Sequence, residues 1–334
     1  KHPPMVAVVL ELFYQIFGSQ DWAYYFLCQI FVIISFYIVY KFSKEIFNND
    51  LLSLLSVLIL ESIYFYNFTT PEFNVNICQL PFWALTVYYF WKIYDCKEIK
   101  FSDCFLVALF ASFGFLSKYL FIYLLFSIML LFVYLIFIKK VKKFDFKYLI
   151  ILEIFLIILV PHLIWLNQND FITIQYGLRR AGLEQSEIID HLKFPVIFLL
   201  KQLGILIPFL FLIFLLVKKI RFRLNLNDKK LIFLLFINIL PIILMTLTSI
   251  ITGSKIRTMW MTPFYLFLGT LFIYLLKSQI NIKKLNSFMY AFTILFLISP
   301  LLYSYISVTK TNKRTDYEGK EIANLVERRW NKNF

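Results

Sequence analysis

Long apolar runs divided by short polar stretches set the pattern of this chain. Runs of about 17 to 24 residues recur at 22–40, 51–68, 75–93, 101–117, 119–138, 148–165, 194–217, 231–251, 259–276 and 285–308. About 20 residues of α-helix cross a hydrocarbon core of roughly 30 Å. Helices are one of only two structures that satisfy their own backbone groups there. The pattern predicts an all-α, polytopic transmembrane helix bundle of about ten spanning helices. Residues 4–17, PMVAVVLELFYQIF, are apolar but short and contain Glu11. They predict a helix lying in the outer interface rather than crossing it.

Composition sharpens this picture. Of the 334 residues 60% are hydrophobic, 20% aromatic and only 16% charged, with mean hydropathy +0.75. Those values exclude an ordinary soluble domain. Lys and Arg fall unevenly: the connections 41–50, 92–100, 139–147, 218–230 and 277–284 hold 19, and the alternate connections, with Lys118 and the loop 166–193, hold 6. Basic loops stay on the cytoplasmic side. This places the N-terminus, the loop 166–193 and the tail 309–334 outside. The net charge of +14 then reports topology and contact with anionic membrane lipid, and no nucleic-acid partner is needed to explain it. Cys28, Cys78, Cys96 and Cys104 show no metal-type spacing and read as small apolar residues.

Ions that a membrane should not contain mark the candidate site. Lys118 stands inside an apolar run from about Phe105 to Ile138, in ASFGFLSKYLFIYLL, where a charge costs several kcal/mol. The outward-facing polar residues are Lys1, His2, Glu72 in TTPEFNVN, Lys118, the loop from Trp165 to Lys193 with Arg179 and Arg180, and TGSKIRTMWMTP with Lys255 and Arg257. Glu72 offers a general base or metal ligand, and the cations offer phosphate-binding groups. The plainer alternatives are snorkelling for Lys118, Lys255 and Arg257, a solvated pair for Arg179 and Arg180, and a helix-dipole role for Glu72. His162, His191 and Asp170 read as local hydrogen-bonding residues. Glu61 and Lys201 lie at matching depth, roughly 10 Å down, which allows an ion pair between them. Glu153 reads as snorkelling beside Lys147.

The order of KHPPM, TTPEFN, FGFLSKY, VPHLIWLNQNDF with YGLRR, and SKIRTMWMTPFY resembles the bacterial polyprenyl-phosphate-dependent glycosyltransferases. These belong to the dolichyl-phosphate-mannose protein mannosyltransferase superfamily, of GT-C fold. The likeness is to the branch of aminoarabinose and galacturonic acid transferases and runs over nearly the whole chain. It implies a membrane enzyme that moves a sugar, with inversion, from a polyprenyl-phosphate donor to a lipid or glycan acceptor of the cell envelope. The transfer would occur at the outer face of the bacterial inner membrane, with lipopolysaccharide as one such acceptor. TPEFN matches the family's Thr-Pro-Asp segment, with Glu72 in place of Asp. LSKY places Lys118 at the carrier phosphate, SKIRTMW places Lys255 near it, and His2 falls at the end of the first outer loop. The family's acidic pair would lie before Lys1, so residues 1–308 are expected to be a transmembrane domain incomplete at its N-terminus and lacking its catalytic acid. Residues 309–334 would begin an outer C-terminal region. The cofactor is unknown: divalent-metal and metal-free chemistry both suit an acid beside a phosphate. The competing function is a flippase for a lipid-linked sugar, which would show inverted halves meeting at the midplane.

Overall fold

The computed structural model describes residues 2–140, 144–182, 187–222, 224–309 and 318–333; Lys1, residues 183–186 of the loop 166–193 and residues 310–317 of the tail lie outside them. The described chain is helical: α1 Met5–Phe17, α2 Asp21–Phe47, α3 Asp50–Leu58, α4 Val75–Cys78, α5 Leu80–Asp95, α6 Phe101–Ser117, α7 Ile122–Val133, α8 Lys147–Gln168, α9 Ile172–Arg180, α10 Asp190–Leu216, α11 Lys229–Thr252, α12 Leu268–Leu276, α13 Leu285–Thr309 and α14 Gly319–Asn333. Local chemistry sets several ends. Asn49 accepts from the Leu52 amide to cap α3, and Asp228 accepts from Lys230 and Leu231 to cap α11. Gly253 closes α11 at φ 64, a left-handed conformation that glycine adopts without a Cβ clash.

Six described helical segments are long and apolar enough to cross a membrane: Asp21–Phe47, Tyr119–Ile138, Lys147–Gln168, Asp190–Leu216, Lys229–Thr252 and Ile282–Thr309. A seventh candidate is the pair Thr258–Tyr265 and Leu268–Gln279, bent by 55°. The apolar runs 51–68 and 75–93 are not single helices. The first is the nine-residue α3, a 3-10 turn over Ile59–Ser62 and irregular chain; the second divides at Gln79 into α4 and α5. The reason is burial: Ile59, Leu60, Ile63, Phe65 and Tyr66 are each at most 2% exposed. Irregular backbone at membrane depth is tolerated where protein surrounds it. Hydropathy records the apolar side chains but not whether lipid or protein covers them. At 13 residues, α1 is shorter than a crossing requires.

Helix α5 packs between α2 and α6, and α6 against α8; α11 contacts α7, α10 and α12, α12 lies on α3, and α13 on α10. Aromatic rings fill the centre, with Phe42 and Phe267 centroids 4.9 Å apart and Trp91 and Phe233 also 4.9 Å apart. Helices α3 and α12 meet at Gly269, where an added Cβ would stand 2.0 Å from the Ser56 carbonyl oxygen. The buried hydroxyls of Ser43 and Thr270 share a hydrogen bond of 2.8 Å beside it. All four cysteines are free, and three are buried.

The predicted basic connections gather at one end of the bundle. There Lys44 pairs with Asp50, Lys229 with Asp95, and Lys230 donates to the Ile46 carbonyl. Lys147 reaches the Ile99 carbonyl, Lys284 the Val217 carbonyl, and Lys139 the Asn227 amide oxygen. The connections predicted to lie outside contact one another at the opposite end.

Candidate functional site

Lys118 is built into a tight reversal. Helix α6 stops at Ser117 because Lys118 is extended, at φ −163 and ψ 131, and Tyr119–Phe121 restart the chain as a 3-10 turn. Gly114 lets the chain fold back so closely that a Cβ there would sit 2.1 Å from the Phe121 ring. The reversal turns the Lys118 side chain inward, leaving the residue 6% exposed. Its Nζ donates to Asn76 Oδ1 at 2.5 Å and lies 5.4 Å from the Trp260 ring centroid. Burial pushes the Lys118 ammonium well below the usual lysine value, and the nearby Arg180 charge pushes the same way. This lysine does not snorkel.

Helix α9 is held against that reversal. The Tyr119 hydroxyl is 2.8 Å from His162 Nε2 on α8 and 2.7 Å from Thr173 Oγ1 on α9. Asp170 and Phe171, at φ 50 and 53, turn the chain sharply between α8 and α9, and the Phe171 amide returns to the Leu166 carbonyl at 2.9 Å. The segment after α11 is tied to the far end of α9 by the Lys255 amide, which donates to the Ala181 carbonyl at 2.9 Å. The consequence is a cavity of about 550 Å³ lined by Ile172, Tyr176, Arg179, Arg180 and Arg257. Arg180 donates to the Tyr176 hydroxyl and lies 5.7 Å from its ring centroid, while the His2 ring meets Tyr176 edge-on at 5.8 Å.

Among the described residues no carboxylate lines this cavity. The ion pairs among the described residues are Lys44–Asp50 and Lys229–Asp95, both at the other end. Arg180 Nε is buried with no hydrogen-bond partner. Three arginines therefore line one space with no counter-charge among the described residues, an arrangement suited to a bound anion with several oxygen acceptors.

The other predicted residues separate into distinct places. Lys255 is exposed beside this loop, its Nζ 5.9 Å from the Phe194 ring centroid. Glu72 is exposed on the turn before α4; its carboxylate makes no hydrogen bond or ion pair among the described residues, and its charge acts on Cys28 and Tyr303. Helix α10 does pack on the Ile59–Ser62 turn, yet Glu61 and Lys201 form no ion pair among the described residues. Equal depth did not align their side chains. Lys201 instead lines a second cavity of about 450 Å³ with Tyr64, Gly204, Ile205, Pro208 and Thr258. Among the described residues no three His, Cys, Asp or Glu side chains are grouped to hold a metal ion. His191 bonds the Ile250 carbonyl at 2.7 Å.

Sequence reasoning passed over Asn76, Trp260, Tyr119 and Tyr176. Asn76 follows Glu72 by four residues in TTPEFNVN, and an amide in an apolar run was its available signal. Trp260 and Tyr176 carry no signal as single aromatics in a chain with 6 Trp and 21 Tyr.

Residues 1–165 match the family model of the dolichyl-phosphate-mannose-protein mannosyltransferases. No curated protein and no solved structure matches the chain. The matched part carries His2, Glu72, Asn76, Lys118 and His162, whereas the three arginines lie beyond it. Over its first 165 residues the chain is thus similar to the dolichyl-phosphate-mannose-protein mannosyltransferases.

Proposed function

We propose that this chain is a membrane glycosyltransferase that moves a sugar from a polyprenyl-phosphate carrier to a lipid or cell-envelope acceptor. The observation that carries the reading is the cavity at Arg179, Arg180 and Arg257, cations with no counter-charge among the described residues that line it, beside the segment that matches the mannosyltransferase family. The carrier tail lies in the bilayer and its phosphate enters the arginine cavity. An acceptor hydroxyl or phosphate attacks the anomeric carbon from the opposite side, with inversion. The bond from that carbon to the phosphate oxygen breaks, and the electron pair leaves with the phosphate.

Fixed positive charge stabilises this departure, because negative charge grows on the phosphate as the bond lengthens. Arg179, Arg180 and Arg257 supply it directly, and Lys118, near enough to Arg180 for their charges to interact, adds to the field when protonated. Glu72, four residues before Asn76, accepts the acceptor's proton, and Asn76 holds the Lys118 ammonium. Lys255 and His2 complete the binding surface. The 19 to 6 distribution of basic residues supports a site facing outward from a bacterial inner membrane. Replacing Arg179, Arg180 or Arg257 by Gln one at a time should lower transfer from a labelled polyprenyl-phosphate sugar by roughly 10- to 100-fold, the worth of one charge-assisted hydrogen bond. Parental transfer by all three variants would overturn the reading.

A further inference from the structure

Helix α9 carries two of the three cavity arginines, yet packing alone does not hold it. Among the described residues it lies closely against no other helix, and Ile172, Ile174, Leu178 and Arg179 are exposed. What it turns toward the bundle is the stripe Thr173, Tyr176 and Arg180, spaced i, i+3, i+7 on one helix face. Charge also works against this placement: Arg180 acts unfavourably on the Lys118 ammonium, and like charges push apart. A helix of nine residues is not stable by itself in water, so α9 needs fastening.

The fastening begins at Tyr119. Its ring packs on Phe115 with centroids 5.3 Å apart and lies nearly parallel to His162, at 28° and 6.0 Å; His162 in turn stacks on Trp165 at 12° and 5.9 Å. This stack fixes where the Tyr119 hydroxyl points, which is between His162 Nε2 and Thr173 Oγ1. With Nε2 accepting the Tyr119 O–H, the phenol oxygen accepts the O–H of Thr173, so each group is used once. Thr173 is 3% exposed, which keeps water from competing for the bond.

Lys118 and Tyr119 are consecutive, so one reversal both buries the ammonium and holds the arginine helix. Thr173 stands seven residues before Arg180, roughly 10 Å along α9, and the far end of α9 is tied through the Ala181 carbonyl to the segment that carries Arg257. We propose that Tyr119, its hydroxyl aimed by His162, is a positioning residue: its bond to Thr173 sets where α9 holds Arg179 and Arg180 against Arg257. The proposal rests on the transferase reading only in what the cavity binds. The placement of α9 is a property of the chain itself and can be measured without a ligand.

Spin labels on Leu178→Cys in α9 and Ile251→Cys near the end of α11 would report that placement for the full chain in phosphatidylcholine nanodiscs. Both positions are exposed, and Cys96→Ser removes the one native cysteine that is not buried. The parent should give a single narrow distance. Tyr119→Phe, which keeps the ring stack, and Thr173→Val should each broaden it and bind a polyprenyl phosphate roughly 3- to 10-fold more weakly. The double variant should be no worse than the weaker single one, since both delete the same bond. His162→Gln, whose amide still pairs with the hydroxyl, should stay near the parent, and His162→Leu should follow Tyr119→Phe; a parental distance in His162→Leu overturns the part given to His162. A parental distance in Tyr119→Phe overturns the inference. So does a broadened distance with parental polyprenyl-phosphate binding, when Arg180→Gln binds that lipid weakly. If Arg180→Gln binds it as the parent does, the transferase reading falls instead, and the label distances alone decide whether Tyr119 positions α9.

Discussion

Replacing Lys118 by Met separates two roles that one buried ammonium can play. In the parent its Nζ satisfies Asn76 Oδ1 at 2.5 Å and faces Trp260. Without it the Asn76 carbonyl loses its donor in a buried setting, which costs about 1–3 kcal/mol. The same change removes a cation from a place where burial and Arg180 both disfavour its charge, which offsets much of that loss. Lys118→Met should therefore fold, with a modest shift in unfolding temperature. Transfer from the lipid donor should fall roughly 10- to 100-fold, because a charge-assisted contribution of about 1.5–3 kcal/mol is missing. The double variant Lys118→Met with Asn76→Leu isolates the second role: both polar partners are gone, so stability should recover while transfer stays low. Arg at position 118 should rescue transfer only in part, since its wide planar fork does not fit a pocket closed around a compact ammonium. Unfolding temperature in detergent and turnover of a labelled donor read the two roles apart. Parental turnover by the double variant would refute the electrostatic role and leave Lys118 as a packing residue.

Two further outcomes test the reading at other points. Glu72→Gln should keep expression and carrier binding and lower turnover by roughly 10²- to 10⁴-fold, the range for loss of a general base; unchanged turnover would reduce Glu72 to its helix-dipole role. A cysteine at Gln175 should react with an impermeant thiol reagent from outside the cell and one at Asn225 should not, and the reverse pattern would turn the bundle over.

The helical, membrane-spanning character was legible because lipid demands long apolar runs. The breaks within two of those runs were not. At 51–68 the buried side chains of Ile59, Leu60, Ile63, Phe65 and Tyr66 look to hydropathy like a lipid-facing span, and only their protein neighbours show that the backbone there need not be helical. The cations of the site were legible for the complementary reason: charge in an apolar sequence has few innocent explanations. Their grouping was less so. Arg257 joins Arg179 and Arg180 where the Lys255 amide bonds the Ala181 carbonyl, a backbone contact between segments more than 70 residues apart, with no signature in side-chain chemistry. The Glu61–Lys201 pair failed on the same ground, since depth fixes one coordinate of a side chain and leaves its rotation about the helix free.

The two ends of the bundle treat positive charge differently, and this contrast bears most directly on function. At one end Lys44 and Lys229 find carboxylates, while Lys147, Lys230 and Lys284 find backbone carbonyls. There the cations close the connections between helices. Exposed pairs of this kind contribute little to stability, yet they leave little charge directed at a ligand. At the other end Arg179, Arg180 and Arg257 border a cavity with no acid among the described residues of its wall, and Lys118 is close enough for Arg180 to act on its charge. Like charges held together are unfavourable in the empty site and are relieved when an anion comes between them. Among the described residues, the ion-paired carboxylates are Asp50 and Asp95, both at the other end. The counter-charge at this end is therefore expected from outside the chain, and a phosphate carried on a lipid can reach it from the bilayer.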